Sequence, residues 1–172
     1  IDNKEFSNPS NLNFYSSDNH KICDLNLSRF NSEEFKYTTL KRSVLIEFLK
    51  NKLFANNLRF GKEVKKISKI KEKLLINFKD NTNDLVDFIV VSDGVFSNTK
   101  SIVENKSIQP VYNGSIAVRT ILKNLPESNY DKNSISLIML NNAHIVIYPI
   151  NKKGEFNVVC IIRQKLSNNI DL

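Results

Sequence analysis

The chain has 172 residues, a length that fits one domain or parts of two domains. Its hydrophobic content of 41% allows a buried core, and no apolar stretch approaches the ~20 residues that a membrane-spanning helix requires. The formal net charge is +7, but the lysines are spread, and the densest group, Lys62–Lys73, is interleaved with apolar residues. That pattern is typical of a strand with solvated outer positions, so we expect no nucleic-acid partner.

Cysteine and histidine usage gives no sign of a metal site or of a disulfide framework. Cys23 and Cys160 are isolated from each other, and so are His20 and His144. We therefore expect no metal centre, and the two isolated cysteines favour a reduced, cytoplasmic compartment.

The first regular elements expected along the chain are the two strands of a hairpin. Apolar residues dominate 12–15 and 21–25, and the segment between them, 16–19, is rich in turn-forming residues. A polar connection over 26–34 then leads to an amphipathic helix.

Five apolar residues recur at helical spacing after this connection: Val44, Leu45, Phe48, Leu49 and Leu53. The spacing predicts a helix from about Lys41 to Ala55 that packs its apolar face on a sheet. Arg42 lies in the first turn of this helix, before the apolar face develops.

Three strands in series are expected next, over 64–70, 74–78 and 85–91, with a turn at 80–83. The last of them ends in the apolar run Phe88–Val91, which is typical of a strand buried on both faces. This run is followed within two residues by Asp93-Gly94.

Asp93-Gly94 is the most informative motif in the chain. Glycine tolerates positive φ and lets a backbone approach a ligand closely, and open α/β sheets bind ligands beyond the carboxyl ends of their strands. An acidic group at that point can hydrogen-bond a ribose hydroxyl. Ser97 then suits the N-cap of a short helix that ends near Glu104. The alternative interpretation is a hairpin turn, which is the commonest structure for Asp-Gly after a strand.

A strand-rich region closes the sequence. Strands are expected over 112–122, 134–140, 143–150 and 155–165, with turns at 141–142 and 152–154. Together with the helices upstream, this order of elements predicts a mixed α/β fold.

The motif around Asp93 resembles the second fingerprint of the FAD-dependent aromatic-ring monooxygenases. In that family an apolar strand runs into Asp-Gly, then Ser, then a basic residue, and the matching positions are Asp93, Gly94, Ser97 and Lys100. This chain departs from the family in having Val91 where Gly is usual and Lys100 where Arg is usual.

Two further motifs follow the family's order. The resemblance implies that Arg42, with Leu45 and Leu49 after it, reaches the phosphate and ribose region of FAD. It also implies that the backbone of Val64 faces the adenine. Tyr148-Pro149 resembles a pair found in the substrate domain of ubiquinone-biosynthesis hydroxylases and of enzymes similar to salicylate hydroxylase.

The resemblance implies a function as well as a fold. Residues 35–106 would form part of a FAD-binding domain, and 107–172 part of a β-sheet substrate domain to which 1–34 contributes. The whole protein would hydroxylate a small aromatic molecule with FAD, NAD(P)H and O2, in ubiquinone biosynthesis for example. Ubiquinone-pathway hydroxylases act on greasy substrates, so the resemblance also implies peripheral contact of this cytoplasmic protein with the inner membrane, without a transmembrane segment. Arg119 and Tyr148 would lie in the substrate region, and no catalytic acid or base is identified.

Two family motifs have no counterpart in this sequence. With only four glycines, the chain carries no Gly-x-Gly-x-x-Gly loop, and the later Gly-Asp motif is missing too. The resemblance therefore implies an internal fragment of an enzyme roughly twice as long or longer, inactive by itself. Two alternatives remain open: a flavoprotein with another reaction, such as epoxidation or halogenation, and a non-enzymatic β-rich binding module in which Asp93-Gly94 is only a turn.

Overall fold

The computed structural model describes residues 1–32, 34–54, 57–125 and 130–165, which form a mixed α/β structure. This confirms the fold class expected from the sequence. The strands are β1 (Phe6–Ser7), β2 (Asn11–Tyr15), β3 (Lys21–Asn26), β4 (Thr39–Leu40), β5 (Val64–Ile70), β6 (Lys73–Phe78), β7 (Asn83–Val86), β8 (Ser115–Lys123), β9 (Ile135–Met139), β10 (Ala143–Pro149) and β11 (Glu155–Arg163). The helices are α1 (Arg42–Lys50) and α2 (Asn98–Glu104), and a 3₁₀ turn spans Leu27–Phe30.

The residues divide into two compact units, 1–52 with 113–172 and 53–112. The first unit is built on a six-stranded sheet in the order β3-β2-β9-β10-β11-β8. Neighbouring strands are antiparallel except β2 and β9, which pair in parallel and join the N-terminal hairpin to the C-terminal strands. The short strands β1 and β4 form a separate antiparallel pair.

The core of this first unit comes from apolar residues on the central strands. Ile135, Ile138, Phe156 and Val159 are all buried, as is Tyr15 on β2. Burial of such side chains supplies the main stabilisation of a sheet, at about 25 cal/mol per Å² of apolar area. The edge strand β8 has exposed side chains from Ile116 to Lys123 and contributes little to that core.

The second unit holds the three-stranded antiparallel sheet β5-β6-β7, with α2 against β5. Its described core is small and centres on Ile76 and Phe78, both on β6. The turn predicted at 80–83 is confirmed, and Asn81 adopts a φ of +66° in it, a conformation that asparagine tolerates better than most residues.

The prediction of a buried strand over 85–91 is wrong. Strand β7 ends at Val86, and Phe88–Val91 continue without regular secondary structure and without ladder partners among the described residues. Phe88 and Val90 are 77% and 76% exposed. An apolar run becomes a buried strand only where neighbouring strands pair with its backbone and other elements cover its faces. The described part of this unit supplies neither.

The predicted helix exists but is shorter, and its packing was wrongly anticipated. It covers Arg42–Lys50, and the predicted end at Ala55 lies outside the described residues. None of its side chains is buried, and Leu45 and Leu49 are 41% and 53% exposed. The apolar face of this helix is therefore only partly covered by the described structure.

The remaining strand predictions, the short helix and its N-cap are confirmed within a few residues at each end. The assignment of 1–34, 35–106 and 107–172 to cofactor and substrate domains stays a prediction.

Candidate functional site

A cleft of about 480 Å³ lies in the second unit, beside the Asp-Gly motif. Its walls are residues 62–64, which lead into β5, the irregular segment 89–93, and residues 96–99, which lead into the first turn of α2. Two of the predicted site residues, Val64 and Asp93, line it together. They are distant in sequence, and the packing of α2 against β5 brings their segments to the same cleft.

Asp93 is held by the helix that follows it. The side chains of Ser97 and Thr99 donate hydrogen bonds to its carboxylate, and these bonds lower the pKa of Asp93 below its usual value. Ser97 also caps the helix, because its hydroxyl accepts a hydrogen bond of 3.0 Å from the backbone N–H of Lys100. The carboxylate is thus ionised at neutral pH and oriented, and it can only accept hydrogen bonds.

Gly94 follows with a φ of +90°, a backbone conformation that residues with a Cβ rarely adopt. It lies in a second hollow of about 310 Å³, which Asp93, Ser97 and Lys100 also line. Apart from Gly94 itself and its two neighbours in the chain, no atom of the described structure lies within 4 Å of where a Cβ on Gly94 would be. Another molecule can therefore approach the backbone closely at this point.

Lys62 is the cation in the wall of the larger cleft. Its ammonium nitrogen lies 2.5 Å from the Asp80 carboxylate and donates a hydrogen bond of 2.8 Å to the Thr82 hydroxyl. The same nitrogen lies 5.6 Å from the ring centroid of Phe78. Lys62 is therefore held in place by partners of its own unit.

Arg42 belongs to the first unit, where it is the first residue of α1. The residue before it, Lys41, is the N-cap position but makes no side-chain capping hydrogen bond. Lys41 instead forms an ion pair of 2.7 Å with Glu155.

The two residues predicted for the substrate region lie on the large sheet. Arg119 is exposed on β8 opposite Val159, and Tyr148 is half-buried on β10 opposite Asn157.

Thr99 is a site residue that the sequence did not reveal. It is only 8% exposed, yet its side chain bonds to the Asp93 carboxylate. Lys62 and Glu63 were likewise missed as parts of the cleft wall. The only signal for Thr99 was its position two residues after a predicted N-cap, which is compatible with many exposed threonines.

Among the described residues there is no cluster of three or more His, Cys, Asp or Glu side chains arranged to hold a metal ion. The same residues include no helix of sufficient length and apolar character to cross a membrane.

Comparisons with known proteins gave matches to solved structures only. No family model matches the sequence, and no curated protein matches it either. The structure of HpxO from Klebsiella pneumoniae, complexed with FAD and uric acid, matches 98% of this chain with a TM-score of 0.82 at 14% identity. A substrate complex of salicylate hydroxylase matches 97% with a TM-score of 0.75 at 16% identity.

A third match is 2,6-dihydroxypyridine-3-hydroxylase from Arthrobacter nicotinovorans, with a TM-score of 0.76 at 15% identity over 99% of this chain. The matched region is only 44%, 44% and 43% of the lengths of these three proteins. At such identities the likeness concerns the fold. The resemblance inferred from the motifs is confirmed at that level: the chain shares the fold of somewhat less than half of HpxO, of salicylate hydroxylase and of 2,6-dihydroxypyridine-3-hydroxylase.

Proposed function

We propose that the full-length protein containing this chain is a FAD-dependent monooxygenase that hydroxylates an aromatic ring. The observation that carries the proposal is the cleft that Val64 and Asp93 both line, inside a fold shared with HpxO bound to FAD and with two hydroxylases. The sequence resemblance predicts a cofactor contact at both residues.

The cleft suits the nucleoside part of FAD. Its volume of about 480 Å³ lies within the range of small-molecule sites, and Val64, Ile89 and Val91 give it apolar walls. The ionised Asp93 carboxylate accepts hydrogen bonds, so it fits ribose hydroxyls and repels phosphates. The open space at Gly94 allows the cofactor to approach the backbone.

Arg42 is proposed to bind the FAD phosphate region. A guanidinium is permanently charged and offers several donors, which suits phosphate oxygens better than a lysine does. Its place in the first turn of α1 adds the partial positive charge of the backbone N–H groups there.

When bound, FAD would supply the redox chemistry, with NAD(P)H as the reductant and O2 as the oxidant. One oxygen atom of O2 would enter the ring as a hydroxyl group, and the other would leave as water. The protein would contribute binding, orientation and exclusion of bulk water. We place the enzyme in the cytoplasm with a small aromatic substrate. Peripheral contact with the inner membrane is part of the proposal where that substrate is a ubiquinone precursor.

The proposal is tested on the full-length protein. We expect it to purify with a yellow flavin, or to be reconstituted with FAD, and NAD(P)H should bleach that colour. Arg42→Ala and Asp93→Ala should each lower FAD content more than they lower the melting temperature. A colourless protein that FAD cannot reconstitute would refute the proposal, and falling melting temperatures at full flavin content would make both residues structural.

The binding-module alternative loses its main support. Asp93-Gly94 does not join two strands of a hairpin, because α2 follows it and the next strand begins only at Ser115. A flavoprotein of the same fold with another reaction would show the same flavin binding and would differ in the product formed.

A further inference from the structure

The start of α1 is attached to the large sheet by polar contacts rather than by packing. No side chain of α1 is buried, and the side chain of its N-cap residue makes no capping hydrogen bond. A helix with so little buried surface is not fixed firmly by apolar contacts. Its position at the Arg42 end therefore depends on what its flanking residues bind.

The first of these contacts is the ion pair between Lys41 and Glu155, with 2.7 Å between its charged atoms. The side chains are only 30% and 17% exposed, so solvent screens the pair less than it screens a fully exposed one. Glu155 is the first residue of β11, so the pair links the residue before Arg42 to the β10–β11 turn.

The carboxylate of Glu155 is itself held in place. Asn151, only 4% exposed, donates its side-chain N–H to Glu155. The Asn151 side-chain oxygen accepts hydrogen bonds from the backbone N–H groups of Lys153, at 2.9 Å, and of Glu155, at 3.2 Å. One buried asparagine therefore shapes the turn and orients the acid that meets Lys41.

A second contact lies two residues before Lys41. The Thr39 hydroxyl donates a hydrogen bond of 2.5 Å to the backbone carbonyl oxygen of Pro149, the last residue of β10. Thr39 and Lys41 thus hold the chain just before Arg42 to the two ends of the same turn.

We infer that Lys41 and Glu155 are positioning residues for Arg42. Their ion pair holds the first turn of α1 against the β10–β11 turn, so that Arg42 presents its guanidinium to the FAD phosphate region in a fixed place. The inference rests on the proposed function, because it concerns how Arg42 is oriented for FAD. Neither Lys41 nor Glu155 need touch the cofactor, so their effect on FAD binding passes through Arg42.

The test is a double-mutant cycle on FAD affinity in the full-length protein. Glu155→Gln should raise the Kd for FAD about tenfold, a size within the usual range of coupling between connected residues. In an Arg42→Ala background the same substitution should have almost no further effect, because the residue that it positions is absent. Lys41→Gln should reproduce the result, and Lys41→Arg, which keeps the charge, should restore tight binding.

Lys41→Gln also tests the inference if the Glu155→Gln variant does not fold. It leaves Glu155 with its Asn151 hydrogen bond and with Lys123 opposite it on β8. The matched control is Asp24→Asn, which removes the exposed ion pair of 2.6 Å between Lys21 and Asp24 in the same unit. We expect that control to leave the Kd unchanged.

Two results would overturn the inference. One is an effect of Glu155→Gln that is equal in the presence and absence of Arg42. The other is a fall in melting temperature with no change in FAD affinity. The proposed function fails differently, since it would be refuted by a parent protein that does not bind FAD. If the parent binds FAD and Arg42→Ala leaves the Kd unchanged, the role of Arg42 fails, and the positioning role fails with it.

Discussion

Gly94→Ala separates a structural role of this glycine from a role in binding. Gly94 has a φ of +90°, so an alanine there meets a backbone strain of about 1–2 kcal/mol. The alanine also lowers the conformational entropy of the unfolded chain, which stabilises the folded state by about 0.4–1 kcal/mol. Beyond its two neighbours in the chain, the added methyl group meets no atom of the described structure within 4 Å, so no clash adds to the cost. We expect a loss of about 1 kcal/mol in the free energy of unfolding.

The loss in FAD affinity should be larger. A methyl group inserted between closely packed surfaces typically costs about 1–3 kcal/mol, and the middle of that range raises a Kd more than tenfold. Gly61→Ala is the matched control, because Gly61 has a φ of +71° and equally open surroundings but lines neither hollow. Urea unfolding and FAD titration of the full-length variants measure the two effects.

Equal losses of stability in the two variants, with FAD affinity unchanged in both, would refute the close approach of a cofactor at Gly94. The glycine would then serve the turn alone. A loss of affinity in the Gly61 variant as large as in the Gly94 variant would show that the effect is not local to the hollow that Gly94 lines.

Three further substitutions test the structure of the two units, each considered by itself. Ser97→Ala removes the hydroxyl that caps α2 at the N–H of Lys100, and urea unfolding should show a loss of about 1 kcal/mol. Lys62 holds the pKa of Asp80 well below its usual value, so this stabilisation is present above the unfolded-state pKa of about 3.9 and is lost as the pH falls below it. Asp80→Asn should therefore flatten the acid-induced fall in melting temperature below about pH 4, and an unchanged slope would contradict the assignment. Phe156 is only 4% exposed in the large sheet, so Phe156→Ala leaves a cavity there. We expect the same unfolding assay to show a loss of about 3–5 kcal/mol in the free energy of unfolding.

Local patterns were enough to predict most of the elements. The hairpin β2–β3, the strands β9–β11 and the N-cap at Ser97 depend on alternation, turn residues and capping chemistry, all of which act within a few residues. The Asp-Gly motif likewise indicated the positive φ that Gly94 adopts. Asp93 and Gly94 were identified as site residues from such a local motif, whereas Arg42 and Val64 were assigned from the family resemblance.

Contacts between distant segments decided the rest, because no local pattern encodes them. Phe88–Val91 has the composition of a buried strand, yet a strand also requires partners for its backbone, and these are long-range. Tertiary packing places Val64 and Asp93 in the walls of one cleft and brings the Thr99 side chain to the Asp93 carboxylate. It also brings together the ion pair between Lys41 and Glu155. The sequence by itself thus determined most of the helices and strands and the residue types at their ends. The tertiary structure decided which of those end residues share a site.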